Sequence, residues 1–217
     1  MVELAAAGAV WVGMQSIMRR AIFVSWASFA ALTVITPGLT LPPVNAQAAL
    51  SQEEAHRLLR KGGVALLLRH GQTESGIGDP PGFTLDTCST QRNLSVAGRA
   101  ELRDMASRLS GARVSFARTL TSQWCRCRET AQLLTGAPAK VEDWGPLNSQ
   151  FSGNAVVDSA NAQVVAKIRQ ISAKESWLLV THQVNITAMT GVSPVMGEGV
   201  LVQPSSSGFR VLGRVKL

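Results

Sequence analysis

Two uninterrupted apolar runs, Val64-Ala65-Leu66-Leu67-Leu68 and Trp177-Leu178-Leu179-Val180, constrain most tightly how this 217-residue chain folds. A strand with one wet face alternates apolar and polar side chains, whereas a strand apolar at every position has to be covered on both faces. Segments of helical spacing lie between the two runs. Leu102, Met105, Ala106 and Leu109 form one stripe behind a Ser95 cap and ahead of Gly111. Ser122 to Leu134 is a second helix, ended by Gly136, and Val157, Val164, Val165, Ile168 and Ile171 mark a third over 156–171. Val114–Leu120 and residues 139–142 read as further strands, and Val184–Thr190 as a helix. Ser51 and Glu54 make a capping box that opens a helix through Leu59, stopped by Gly62-Gly63. Val200–Val202 and Phe209–Val215 alternate around 204–208 and read as an antiparallel hairpin. The expected class is α/β: a three-layer sandwich, with a mainly parallel central sheet, helices on both faces and an antiparallel C-terminal hairpin.

The first 48 residues are of another kind. Their only charged residues are Glu3, Arg19 and Arg20. Met18-Arg19-Arg20 precedes the apolar run Ala21–Ile35, then Pro37, and Ala46-Gln47-Ala48 ends the stretch. A basic start, a short apolar core and a small-x-small end are the pattern of a secretory signal peptide. The run is shorter than the roughly 20 residues that span a bilayer. The expectation is that residues 1–48 are a signal peptide with an upstream extension, that Met18 is the better start, and that cleavage occurs after Ala48. Residues 49–217 then form one domain, periplasmic or secreted, with no stable membrane anchor after cleavage. Leaving out Glu3, Arg19 and Arg20 takes the formal charge from +7 to +6 for that domain. The surplus favours an anionic partner but does not choose which. A hydrophobic share of 46% excludes a disordered polyelectrolyte.

Open parallel sheets bind ligands beyond the carboxyl ends of their strands. Val64–Leu68 runs into Arg69-His70-Gly71-Gln72-Thr73-Glu74, and Trp177–Val180 into Thr181-His182-Gln183. Val114–Leu120 runs into Thr121-Ser122, with Arg126 on the first turn of the next helix. Two of the three histidines and two arginines are thus brought to one edge of the sheet. Guanidinium forks and imidazoles together suit a phosphoryl group. The loop over 70–93 is longer than filler loops usually are.

Four ordered segments resemble the histidine phosphatase (phosphoglycerate-mutase-like) superfamily. They are Leu67-Leu68-Arg69-His70-Gly71-Gln72-Thr73-Glu74, Gln91-Arg92-Asn93-Leu94-Ser95 through Gly98-Arg99, Ser122 through Ala131 with Arg126, Thr130 and Ala131, and Val180-Thr181-His182. The resemblance covers roughly 63–216. It implies a metal-independent phosphomonoesterase that needs no cofactor and acts on a small phosphorylated substrate, sugar phosphates among the candidates, with no nucleic-acid partner. By that resemblance His70 is the nucleophile, Arg69, Arg126 and His182 clamp the phosphoryl oxygens, and Gln72, Thr73 and Asn93 contact the phosphate. The general acid departs from the pattern. One branch carries Glu in a Leu-x-Glu context where this chain has Leu147-Asn148-Ser149; the other has His-Asp where it has His182-Gln183. The remaining carboxyls are Glu198, Asp143, Glu142 and Asp86, with Glu198 expected first.

Two other readings stand beside this one: a non-catalytic phosphate- or polyanion-binding domain that kept the clamp, and mutase chemistry on cytoplasmic phosphoglycerates, against which the leader argues. Cys125 and Cys127 are two apart on a helix and face different ways, so Cys88 pairs with one of them or all three thiols stay free. His56, among Arg57, Arg60 and Lys61, belongs to a solvated basic face.

Overall fold

The computed structural model describes residues 48–150 and 155–217. The expected leader lies outside the described residues, except for Ala48.

The chain begins with α1 (Gln52–Lys61), whose capping box forms as expected: the Ser51 hydroxyl accepts from the Glu54 N–H at 3.2 Å. Then come β1 (Val64–Arg69), α2 (Val96–Gly111), β2 (Arg118–Thr121), α3 (Cys125–Thr135), β3 (Val141–Asp143), α4 (Ala155–Ile168), β4 (Ser176–Thr181), α5 (Gln183–Thr190), β5 (Gly199–Ser205) and β6 (Gly208–Val215). The six strands make one sheet in the order β3-β2-β4-β1-β5-β6. The first four are parallel; β5 pairs antiparallel with β1, and β6 with β5. This is the expected α/β architecture.

The all-apolar strands have the two covers they require. Leu66, Leu68, Leu178 and Val180 face one cluster with Ala55 and Leu59 of α1, Leu102, Met105 and Leu109 of α2, and Ala131 and Leu134 of α3. Ala65, Leu67, Trp177 and Leu179 face the opposite cluster with Val164 and Ile168 of α4 and Ile186 of α5. Each buried leucine contributes about 2 kcal/mol by leaving water. Among the described residues no helix is long and apolar enough to cross a membrane.

Several boundaries differ from the expectation: α3 starts at Cys125 rather than Ser122, and α4 ends at Ile168 rather than at 171. The strand expected over 114–120 begins only at Arg118, because the Val114 N–H closes the end of α2 on the Leu109 carbonyl at 2.9 Å. The strand expected over 139–142 lies at Val141–Asp143. The hairpin strands run longer, through Pro204. Pro204 fits because β5 is bonded to β1 only as far as Val202, so its missing N–H interrupts no ladder on that side.

Candidate active site

Strand β4 sits between β1 and β2, so three carboxyl ends lie side by side. Arg69 is opposite Thr181, and Thr121 is opposite Val180. The pairing continues past the strands: the His70 N–H donates to the Thr181 carbonyl at 3.1 Å, and the Ser122 N–H to the Val180 carbonyl at 2.9 Å. His70 and His182 therefore meet although they are far apart in sequence, with ring centroids 5.4 Å apart and an edge-to-face angle of 67°.

The helices fix the chain on either side. The Gly71 N–H donates to the Thr130 hydroxyl at 3.0 Å, and that hydroxyl donates to the Arg126 carbonyl at 2.7 Å, which ties the turn after His70 to α3. The Ser95 N–H donates to the Gln72 carbonyl at 2.9 Å. Gly98 is required here: a Cβ at this position would lie 2.1 Å from that carbonyl oxygen.

The His70 ring has a defined tautomer. Nδ1 is 2.9 Å from the Gly71 carbonyl oxygen, which can only accept, so Nδ1 carries the proton and the lone pair of the neutral ring is on Nε2. Burial, reinforced by the charges of Arg126, Arg69 and Arg92, lowers its pKa to about 3 against the bond to Gly71, so the ring is neutral near pH 7. His182 is lowered too, by burial first and then by His70, Arg126 and Arg69. Its Nε2 shares a 2.9 Å hydrogen bond with the Ser122 hydroxyl, which also donates to Asn148 Oδ1 at 3.2 Å.

A cavity of about 690 Å³ opens above these residues. Arg69, Arg92 and Arg126 all line it, and the Nε of each is buried with no hydrogen-bond partner. The Arg69 guanidinium is made a stronger acid by burial and by the Arg92 and Arg126 charges. Crowded positive charge with unused N–H donors is an environment that favours an anion.

The remaining wall comes from the loop after β1. Asp79 is buried against Arg126, with Oδ1–Nη1 at 2.7 Å, and accepts from Trp124 Nε1 and the Arg92 N–H, both at 3.0 Å. Burial pushes this carboxyl up, but the bonds from Arg126, Arg92 and Trp124 outweigh it and hold the pKa below the usual carboxylate value. Cys88 and Cys125 form a disulfide, which resolves the pairing left open by the sequence, and Cys127 is free and buried. Burial pushes the Cys127 thiol up to about 12. The Cys125 N–H donates to Gln91 Oε1 at 2.9 Å. The loop is thus joined to the start of α3 beside Arg126.

Arg69, His70, Arg126 and His182 converge as expected. Gln72 and Asn93 do not line the cavity: the Gln72 carbonyl is taken up by Ser95, and Asn93 Nδ2 donates to the carbonyls of Cys88 and Gln91. Thr73 is buried, its hydroxyl directed to Met196 Sδ. Glu198 is also turned away. Its carboxylate accepts from the Val195 N–H at 3.0 Å and lies 3.6 Å from Arg214 Nε, a partner delivered by the hairpin. Asp143 is paired with Arg128 and Glu142 with Arg118, and Asp86 is exposed outside the cavity. Asp79, Arg92, Phe83 and Trp124 line the cavity without having been expected from the sequence. For Arg92 and Trp124 a signal was present, since each lies in a segment that resembles the superfamily. Ser149 and Gln183, where the resemblance places an acid, both line the cavity, and neither is a carboxyl.

Residues 65–156 match the model of the histidine phosphatase superfamily, branch 1. That match places this stretch of the chain, which holds His70 and Arg126, in the histidine phosphatase superfamily. Phosphatase chemistry is the class that this superfamily carries. No curated protein is similar to it in sequence. Among solved structures, the protein histidine phosphatase SixA complexed with tungstate is 18% identical, with a TM-score of 0.51, over 70% of this chain and 96% of that one. A putative alpha-ribazole-5'-P phosphatase from Escherichia coli is 17% identical, with a TM-score of 0.55, over 68% of this chain and 94% of that one. A mutant phosphoserine phosphatase from Entamoeba histolytica in complex with phosphoserine is 15% identical, with a TM-score of 0.52, over 70% and 95%. At these identities the likeness is one of fold.

Proposed function

We propose that this histidine phosphatase is an exported phosphomonoesterase that transfers the phosphoryl group of a small ester to His70 and then to water. One observation carries the reading: a neutral imidazole with its lone pair fixed on Nε2 sits beside three guanidiniums whose Nε–H groups are unpartnered. Nε2 attacks phosphorus in line, the P–Nε2 bond forms, and the P–O bond electrons leave with the ester oxygen. Arg69, Arg126 and His182 stabilise the equatorial oxygens, where transition-state charge is spread. A bound dianion favours the imidazolium form of His182, which then offers an N–H on each ring nitrogen. Water attacks the phosphohistidine, the P–N electrons return to Nε2, and inorganic phosphate leaves. The positive charge comes from these side chains, so the reaction is metal-independent.

Export is supported by the leader pattern of residues 1–48 and by the Cys88–Cys125 disulfide, a bond typical of oxidising compartments. Cleavage after Ala48 then leaves residues 49–217 in the periplasm or outside. The structural neighbours are named for ribazole phosphate, phosphoserine and protein histidine phosphatases, so one fold serves dissimilar leaving groups.

A second reading, a phosphate-binding domain without turnover, is favoured by Ser149 and Gln183 standing where an acid is expected. The test is rapid acid-free quenching of the full chain with a radiolabelled aryl phosphate. An acid-labile label on His70, absent in His70→Ala, supports the enzyme. Vanadate binding with no label and no phosphate release supports the binding domain. An active His70→Ala protein overturns the mechanism.

A further inference from the structure

The floor of the cavity is cationic, but its upper wall is apolar, made by Ile77, Phe83, Trp124, Val184 and Met196. Aromatic rings lead outward from the proposed phosphoryl site. The Trp124 and His182 centroids are 5.2 Å apart at 77°, and those of Phe83 and Trp124 are 5.8 Å apart at 39°. At the mouth Ile77 is fully exposed and Phe83 is 37% exposed, two of the four large apolar side chains left in water among the described residues. The loop that carries them is fixed at its base by the Asp79 bonds to Arg126 and Trp124. Apolar side chains held at the mouth of a polar site indicate what lies beyond the phosphate.

The second observation concerns protons. Asp79 is the one carboxylate lining the cavity among the described residues, and both its oxygens are engaged, Oδ1 by Arg126 and the Arg92 N–H, Oδ2 by Trp124 and Arg126. It therefore has no proton to give. Ser149, its hydroxyl buried and unpartnered, and Gln183 are poor acids in its place. An ester whose leaving oxygen must be protonated as it departs is poorly served here, whereas one that departs as a stabilised anion is not.

We infer that the shelf of Ile77, Phe83 and Trp124 is a leaving-group subsite for a flat or apolar group, and that the substrates are phosphate esters of phenolic or comparably acidic oxygens. The inference rests on the function proposed above. The P–O bond breaks with its electron pair on the leaving oxygen, which departs as a phenolate and takes its proton from solvent.

The experiment compares 2-naphthyl phosphate with glycerol 2-phosphate on the full chain, wild type and two variants, with vanadate inhibition measured alongside. The expected wild-type preference for the naphthyl ester in kcat/KM is about a hundredfold. Phe83→Ala reduces that preference about tenfold, chiefly through KM. Ile77→Ser, which removes no packing from a fully exposed site, reduces it about threefold. The vanadate constant stays unchanged in both. Turnover by the wild type with no naphthyl preference, or a preference unmoved in both variants, overturns the subsite and leaves the phosphatase standing. No turnover of either ester by the wild type overturns both.

Discussion

His70 and His182 are held by the sheet, whereas Asp79, Phe83 and Arg92 are held by a loop. The histidines leave adjacent parallel strands, and their rings are nearly inaccessible to solvent. The loop has no ladder: over residues 74–90 most positions are exposed, and its shape depends on a few ties, namely Asp79 to Arg126 and Trp124, Gln91 to Cys125, and the Cys88–Cys125 bond. A backbone turn such as Gly76, at φ +123°, suits this loop and would not suit a strand. The proposed chemistry therefore falls on the rigid wall, and the proposed substrate surroundings on the adjustable one.

The comparison can be broken in five places. His70→Ala on the rigid wall is expected to lower kcat by about four orders of magnitude or more with the fold retained, which circular dichroism and steady-state rates check together. Arg126→Ala joins the two walls, since it removes a clamp and leaves Asp79 buried and unpaired. Turnover is expected to fall about a hundredfold to a thousandfold, and stability by about 3 kcal/mol in urea.

Acid tests the burial of the rigid wall. The unfolded chain takes up a proton on His70 near its ordinary pKa of 6.5, while the folded chain refuses it until about pH 3. The unfolded state therefore binds more protons between those values, and stability falls as pH falls through that window. His182, lowered in the same sense, adds to the loss, and so does Asp79 nearer the bottom of the window. A melting temperature that declines from pH 7 to pH 4 is expected, with a shallower decline in His70→Gln. An equal slope in the two proteins means that the ring is not buried neutral.

The loop wall should respond to Cys88→Ser. Opening a bond that spans 37 residues costs about 3 kcal/mol, read as a lower urea midpoint. Because Arg126 comes directly after Cys125, KM is expected to rise before kcat falls. The smallest effects belong to Glu198→Gln and Asp143→Asn, whose carboxylates serve Arg214 and Arg128 outside the cavity. Aryl phosphate turnover should change less than about threefold in each, and a larger loss would restore them as proton donors.

These two walls were unequally legible in the sequence. A fully apolar run announces a strand covered on both faces, and the residues at its carboxyl end stand at the binding edge, so Arg69, His70 and His182 could be placed without a structure. Arg126 was placed by the helix that succeeds β2. The loop offers no period. Nothing in Gly78-Asp79-Pro80-Pro81 says that Asp79 returns to Arg126, because that contact depends on a disulfide with two possible partners and on turn geometry. Asn93 misled for a related reason: a polar side chain in a loop is as often spent on nearby backbone as on a ligand, while Gln72 is exposed outside the cavity. Glu198 misled because β6, through Arg214, supplied a partner that position along the chain does not reveal.

The place of β4 has one more consequence. It is the fourth strand in order of synthesis, yet it is flanked by the first two, so a growing chain holds β1 and β2 with no common neighbour until Ser176–Thr181 has emerged. Long-range pairings of this kind form late. A nascent chain therefore stays open over most of its length, the condition needed for threading through a narrow pore, and a fragment ending before Thr181 lacks His182, one of the three groups of the proposed phosphoryl clamp.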